Sequence, residues 1–486
     1  MPGLVRAAPG PAGPTTGGPT GAPGKDLAAG DGGQAGPSGP VDAGDARRAG
    51  RQSEARRRAG RVPSTVVTLG VVSFLTDVSS EAVAAVLPLY VTAALGLSVV
   101  AYGVVDGLVQ GAGALVRVAG GWAADRTDRP KWVAAVGYGL SALTRVGLLF
   151  AAGLPAIASL VVTDRIGKGV RTAPRDALIA AAANPRNLGR SFGVHRALDT
   201  AGAALGPLLA FAVLWAIPDG WTTIFVISLG AAVLGVGALV LLVPDLRPRQ
   251  AAWLRAHRTR QDRGLPKCKG CTCDAPGALA PAGRPFSWSF LRGGATVRLL
   301  LVAGVLGLLT VGDGFVYLAL QDRDGFATQW FPLLYVGTNA AYMLLAAPAG
   351  RLADRLGRAR VLVWGHALLA GAYLCAAAPF PGAVTTVTAL VLLGAFYATT
   401  DGVLAALASA LVPTSVRGTA IGTAQTVTAV ARMAASAGFG VLWYATGRVD
   451  ALWIAAAALL VAVPVCAYLV RGGRLDTTAP AEEAVA

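Results

Sequence analysis

The chain has 486 residues, of which 54% are hydrophobic and only 14% charged, against about 25% charge in an ordinary soluble domain. Its apolar residues run in continuous blocks of about 20, each long enough to cross a bilayer as a helix, which excludes a soluble enzyme and the alternating strands of an outer-membrane barrel. The net charge of +16 sits between these blocks rather than on a soluble face, so it implies no nucleic-acid partner.

In chain order, residues 1–62 are rich in Gly, Pro and Ala with scattered arginines and predict a disordered basic tail. No apolar core follows closely enough for a cleaved signal peptide. Apolar blocks bounded by Pro, Gly and charge then predict twelve spans: 64–94, 98–124, 131–152, 156–181, 187–216, 222–244, 297–320, 328–353, 359–379, 384–411, 415–445 and 449–470. The fold class expected is an all-α polytopic membrane protein, with its lipid bilayer as first partner.

Lys and Arg decide the orientation. They crowd the N-terminal tail (Arg56, Arg57, Arg58, Arg61), the segment after span 2 (Arg126, Arg129, Lys131) and that after span 8 (Arg355, Arg358, Arg360). They also fill segment 245–296 and the C-terminus. The segments near 95–98, 153–155, 217–221 and 380–383 have none, and only Arg323 and Arg448 break the pattern. Both termini are therefore expected in the cytoplasm of a cell whose inner membrane the chain crosses.

Segment 245–296 is polar, basic and Pro/Gly-rich. It divides the chain into a six-helix bundle (63–244), a cytoplasmic linker (245–296), a second six-helix bundle (297–471) and a tail (472–486). The halves repeat: Asp354 lies 229 residues after Asp125, and Gly422 lies 229 after Gly193. A parallel six-plus-six repeat is an architecture of secondary transporters. The linker carries Cys268, Cys271 and Cys273, with His257 upstream. These donors could make a tetrahedral zinc set, but the spacing is not that of paired CxxC sites, and incidental cysteines are the expectation. No metal or cofactor is expected.

At this point the chain resembles the major facilitator superfamily over about 64–470. The carrier is Gly121-Trp-Ala-Ala-Asp125-Arg126-Thr-Asp-Arg129-Pro-Lys131, similar to the family's motif G-x-x-x-D-R-x-x-R-[K/R], with a second copy at Gly350, Asp354, Arg355 and Arg358. The resemblance implies a twelve-helix major facilitator fold and a clasp at these residues, in which Asp125 accepts hydrogen bonds from neighbouring basic groups or a helix N-terminus. Arg165-Ile-Gly-Lys168-Gly169 resembles the family's R-x-x-Q-G, with Lys168 in the glutamine's place. Gly202-Ala-Ala-Leu-Gly206-Pro207 resembles the G-x-x-x-G-P core of its antiporter motif, and the resemblance makes these three residues a packing hinge of span 5. The phrases from Phe74 to Glu81 and from Asp164 to Asp176 look like a bacterial subgroup of exporters with mostly undefined substrates.

A charge at the middle of a membrane helix costs about 2.5–3.5 kcal/mol on insertion scales, so each needs a partner or a task. Asp77 and Glu81 are four apart on span 1, and Asp164, Lys168, Arg171 and Arg175 form one stripe on span 4. By resemblance, spans 1, 4, 7 and 10 line the central cavity, which makes Asp77, Glu81, Arg165, Lys168, Asp313 and Asp401 the candidates for substrate and proton handling. A carboxylate meeting a guanidinium there is a workable proton switch, with Asp77 and Arg165 the first pair to consider. His195 is expected buried and neutral on a backbone carbonyl, with a proton relay as the alternative.

The leading expectation is a proton-coupled secondary transporter exporting a small organic molecule, monomeric and not an enzyme. No G-x-x-x-x-G-K-[S/T] loop supports direct ATP drive. Uptake or exchange of an anionic metabolite is the alternative, favoured by the basic stripe. A transporter-fold sensor or scaffold comes third.

Overall fold

A computed structural model describes residues 62–183, 188–247, 293–412 and 417–471; within these, the side chains at 115, 117–122, 125, 417, 418 and 471 fall outside the description. The two tails, nearly all of the linker with its three cysteines and His257, and the side chains of Gly121 and Asp125 thus lie outside the described residues.

The described residues form fourteen α-helices: α1 Ser64–Leu89, α2 Val99–Thr127, α3 Pro130–Leu148, α4 Gly153–Ala182, α5 Leu188–Ala216, α6 Trp221–Leu242, α7 Gly294–Leu308, α8 Asp313–Asp324, α9 Phe331–Leu356, α10 Arg358–Ala377, α11 Ala383–Thr400, α12 Val403–Ala410, α13 Arg417–Thr446 and α14 Arg448–Arg471. Two expected spans are broken helices. Span 7 becomes α7 and α8, and span 10 becomes α11 and α12, which part at Asp401 and Gly402, the glycine at φ 77°. At the first break the freed Val311 amide donates to the Tyr373 hydroxyl (2.7 Å), which satisfies that group inside an apolar layer. Among the described residues nine helical stretches are long and apolar enough to cross a membrane by length and composition. The chain is an all-helical, multi-pass membrane protein.

The repeat legible in the sequence recurs in the backbone. Asp128, which follows α2, has a left-handed conformation (φ 51°), and Gly357, 229 residues later between α9 and α10, has φ 97°. Each lets the chain reverse tightly, and aspartate is among the few non-glycine residues that tolerate this region. Pro130 then starts α3, where a helix has no use for its missing N–H.

Helix α1 packs along α5 and α6, α4 lies against α2 and α3, and α3 also meets α6. In the second half α10 packs on α11 and α14, α9 on α11, and α13 on α7. The halves meet through α2 with α13 and α5 with α9. The α2–α13 crossing is close because glycines face it. A Cβ on Gly107 would sit 2.6 Å from the Met433 carbonyl oxygen, and one on Gly440 2.9 Å from that of Val99. Beside this crossing Tyr102, Phe315 and Phe439 stack edge to face at 4.9 and 5.0 Å. Buried Asp106 of α2 accepts a 2.6 Å hydrogen bond from Ser436 of α13. That end of the interface is closed.

The two arginines that break the charge rule have local duties. Arg323 donates to the Cys375 carbonyl (2.6 Å) and pairs with Asp324 (2.7 Å). Arg448 donates to the Ala319 carbonyl (2.7 Å) and pairs with Asp322 (3.2 Å). Both charges serve the carbonyls of helix ends, a use independent of topology.

Gly202 and Gly206 of α5 are buried against α1. A Cβ on Gly202 would collide with the Phe74 carbonyl, and one on Gly206 would lie 2.7 Å from the Ala82 nitrogen. Backbone cannot give way as a flexible side chain can. Gly206→Ala is therefore expected to cost about 1–3 kcal/mol, while Gly139→Ala, with nothing within 4 Å of its Cβ, is expected to leave stability unchanged or slightly raised. Thermal unfolding of the two purified variants checks this, and equal melting would refute the close α1–α5 contact.

Candidate functional site

A cavity of about 720 Å³ lies between the halves. Its N-terminal-half wall carries every charge: Asp77 and Glu81 from α1, Arg165, Lys168, Arg171, Arg175 and Asp176 from α4, and Arg196 and Asp199 from α5. The opposite wall is α13, which contributes Gly422, Gln425, Thr426 and Ala429. Helical spacing explains the charged wall, since residues four and three apart on α4 fall on one face, as Asp77 and Glu81 do on α1.

The pairing has a definite order. Glu81 meets Lys168 at 3.3 Å, with roughly a third of each side chain exposed. Asp77 meets Arg171 at 3.8 Å, and the Arg171 guanidinium lies over the Tyr138 ring, 4.5 Å from its centre. Asp164 faces the other way. It binds Arg145 of α3 at 3.0 Å, both side chains nearly inaccessible, and Arg165 at 3.7 Å. Arg145 also donates to the Ser79 hydroxyl (3.3 Å), which is bonded to Ser228 of α6 at 2.8 Å. Toward the exposed end, Arg175 joins Asp176 (3.1 Å), Asp199 (3.4 Å) and the Ser73 hydroxyl (3.3 Å), and Arg196 joins Asp199 (3.3 Å).

Of the six cavity candidates, Asp77, Glu81, Arg165 and Lys168 come together here. Asp77, however, is paired with Arg171 rather than Arg165. Those arginines are six residues apart, about 9 Å along the α4 axis, and Asp77 lies level with the later one. Asp313 and Asp401 do not line this cavity. Asp313 opens α8 and accepts from the Tyr397 hydroxyl (2.7 Å). Asp401, at the α11–α12 break, lines a smaller cavity of about 190 Å³ with His366 and Arg432. Both acids sit where a helix is interrupted, a feature that continuous apolar blocks do not reveal. His195 is buried, but its partner is a hydroxyl, with Nε2 3.0 Å from Ser73 Oγ. Asp106 and Arg432 are charges within apolar blocks of the sequence. Their partners come from other helices, and no spacing along the chain announces them.

Around the expected clasp, Lys131 is buried and donates to the Val240 carbonyl of α6 (2.8 Å), which ties α3 to α6 rather than to a carboxylate. Arg126 and Arg129 are exposed. In the second copy Arg358, which opens α10, pairs with Asp354 near the end of α9 across the Gly357 turn (3.1 Å), both largely exposed; Arg355 is exposed and Gly350 has open space about its Cβ. Among the described residues no cluster of His, Cys, Asp and Glu could hold a metal ion.

These pairs differ in what they contribute. Asp164→Asn leaves two buried guanidiniums without a carboxylate and is expected to cost about 3–5 kcal/mol. Lys168→Met breaks a half-exposed pair and is expected to cost about 1 kcal/mol or less. Thermal melts of the purified variants read the difference, and similar shifts would contradict this ranking.

Residues 69–338 and 327–485 match the sequence profile of the Major Facilitator Superfamily. An uncharacterized MFS-type transporter of Methanocaldococcus jannaschii is 28% identical over 384 residues, covering 78% of this chain and 88% of that protein. An uncharacterized protein of Mycobacterium bovis is 30% identical over 298 residues, 60% of this chain and 66% of its own length. The chain spans about two thirds of that mycobacterial relative. The nucleoside transporter NupG superposes with a TM-score of 0.66 at 15% identity, over 84% of this chain and 99% of that one. A bacterial homolog of the human lysosomal transporter Spinster, solved inward-facing and unoccupied, superposes with a TM-score of 0.63 at 15% identity, over 85% and 97%. At such identity the structures speak for the fold alone. The profile, which spans most of the chain, settles the family: this protein belongs to the major facilitator superfamily.

Proposed function

We propose that this member of the superfamily is a proton-coupled secondary transporter that exports a small organic molecule by alternating access. The observation that carries this reading is the cavity itself, open past Asp176 and Arg196, walled by titratable ion pairs, and shut at its far end by the α2–α13 crossing. Arg196, with 76% of its side chain exposed, marks the mouth. The mouth lies at the end of the bundle where α2 and α9 end in arginine-rich segments, so by the distribution of positive charge it faces the cytoplasm. The reading places the chain in the inner membrane with both termini cytoplasmic, as a monomer without enzymatic activity, built of bundles 63–244 and 297–471 that rock about the cavity.

The working cycle turns on the protonation state of Asp77. Protonation of its carboxylate removes the charge that faces Arg171, and substrate leaving the cavity restores the ion pair. Opening the far side requires the Asp106–Ser436 bond and the Tyr102, Phe315 and Phe439 stack to part. Gly202, Gly206 and Pro207 give α5 a close, bendable seat on α1 during that motion. Asp125 with its basic neighbours, and Asp354 with Arg358, would hold the arginine-rich ends of the bundles in one state.

Uptake or exchange of an anionic compound is the second reading, favoured by the five cationic side chains on the cavity wall. Proteoliposomes loaded with a compound panel under an imposed pH gradient separate the two. Proton-driven export predicts gradient-dependent movement out of the cytoplasmic side, abolished by a protonophore. Asp77→Asn is expected to lose the gradient dependence while keeping substrate counterflow. Gradient-driven transport unchanged in Asp77→Asn would sink the role given to Asp77. Accumulation independent of the gradient would favour exchange.

A further inference from the structure

We infer that the transported molecule is an amphiphilic organic anion, its negative group docked on Arg165 and its apolar body seated in the smaller cavity of the C-terminal half. This deepens the transport reading above and rests on it.

Charge accounting supplies the first argument. Each carboxylate on the large cavity's wall has a cation within 4 Å: Asp77 at 3.8, Glu81 at 3.3, Asp176 at 3.1 and Asp199 at 3.4 Å. Among side chains no more than 17% exposed on α1, α3, α4 and α5, four guanidiniums (Arg145, Arg165, Arg171, Arg175) face three carboxylates (Asp77, Asp164, Asp199). The shortest contact to Asp164 is Arg145's, so the surplus positive charge falls on Arg165. Its side chain is 17% exposed and lines the cavity, and its Nε–H has no hydrogen-bond acceptor among the described residues. A buried guanidinium N–H without an acceptor is costly, and an incoming carboxylate, sulfonate or phosphonate supplies one in a planar, two-pronged geometry.

Shape supplies the second. The two cavities share Gln110, Gln425 and Ala429 and therefore lie side by side. The smaller one, about 190 Å³, is floored by apolar side chains of α7, α10 and α12, including Leu306, Leu362 and Leu404. For scale, an apolar protein cavity of about 150 Å³ holds one benzene molecule, so this one takes one ring or two fused rings. Asp401, His366 and Arg432 line it too; the Arg432 Nε–H, like that of Arg165, has no acceptor among the described residues, and Asp401 on the same wall supplies the opposite charge. The Arg432 guanidinium lies 5.7 and 5.9 Å from the centres of the Phe396 and Tyr397 rings. A ligand that fills both cavities must carry its negative end toward α4 and its apolar end toward α7 and α12.

Binding, measured by titration calorimetry on protein in nanodiscs, tests this without reference to direction or coupling. The probes are 2-naphthoate, 2-naphthamide and 2-naphthylmethylammonium, alike in ring and different in charge. The expected order is naphthoate tightest, with the amide and the ammonium weaker by about tenfold or more. Arg165→Ala is expected to remove that preference and Arg165→Lys to restore part of it, each variant's melt being checked first. Ala405→Phe, which fills the smaller cavity from α12, is expected to weaken naphthoate about tenfold while leaving acetate unaffected. Equal binding of the three probes, tighter binding of the ammonium, or naphthoate binding indifferent to Arg165→Ala would each overturn the assignment. If the expected binding pattern appears in a protein that moves naphthoate across no membrane, the assignment stands and the export reading falls.

Discussion

The dominant constraint on this molecule is the cost of charge in an apolar layer. Helix α4 carries Asp164, Arg165, Lys168, Arg171, Arg175 and Asp176 within 13 residues, and no arrangement that faces them to lipid is affordable. The fold answers by surrounding α4 with partners. Arg145 comes from α3, Asp77 and Glu81 from α1, and Asp199 from α5. The same pairings that make the N-terminal half foldable also make its inner wall titratable. Under the proposed function, stability and transport chemistry would use one set of side chains.

The second constraint is proximity between helices, which lipid does not drive as water does. Close packing comes instead from glycine against backbone, as where Gly202 and Gly206 meet α1 and where Gly107 and Gly440 bring α2 and α13 together. The first contact lies within one half and the second joins the halves. The α2–α13 contact is reinforced by the hydrogen bond from Ser436 to Asp106 and by an aromatic stack. Neither involves a covalent or metal link, so the closed end is built from contacts that can re-form.

The halves share a backbone plan and divide the chemistry unequally. Asp128 and Gly357 occupy matching turns with positive φ, so the repeat reaches down to single residues. Yet the charges on the large cavity belong to α1, α4 and α5, while the C-terminal half faces it with small and neutral groups of α13; the recess behind them combines leucines with Asp401, His366 and Arg432. An internally duplicated architecture thus presents two chemically unequal walls.

Much of this could be read along the chain. Apolar run length gave the membrane class, the 229-residue offset gave the repeat, and the spacing of Asp77 with Glu81 and of Asp164, Lys168 and Arg171 gave the charged faces, because these are properties of one helix and its period. What the sequence left open was which face meets which. Asp77 takes Arg171 and not Arg165 because it lies level with the later arginine, and the axial level of one helix against another is not written in the period of either. Asp313 and Asp401 leave the main cavity because α7–α8 and α11–α12 break, and the breaks are held by Tyr373 and by the left-handed Gly402. His195 finds a hydroxyl of α1 rather than a carbonyl. The sequence by itself determined the class, the repeat and the list of buried charges, since each follows from local hydrophobicity and helical period. Only the tertiary structure decided the pairs, the Nε groups of Arg165 and Arg432 left without an acceptor among the described residues, and the adjacency of two cavities, since these depend on distances between helices that are remote in the chain.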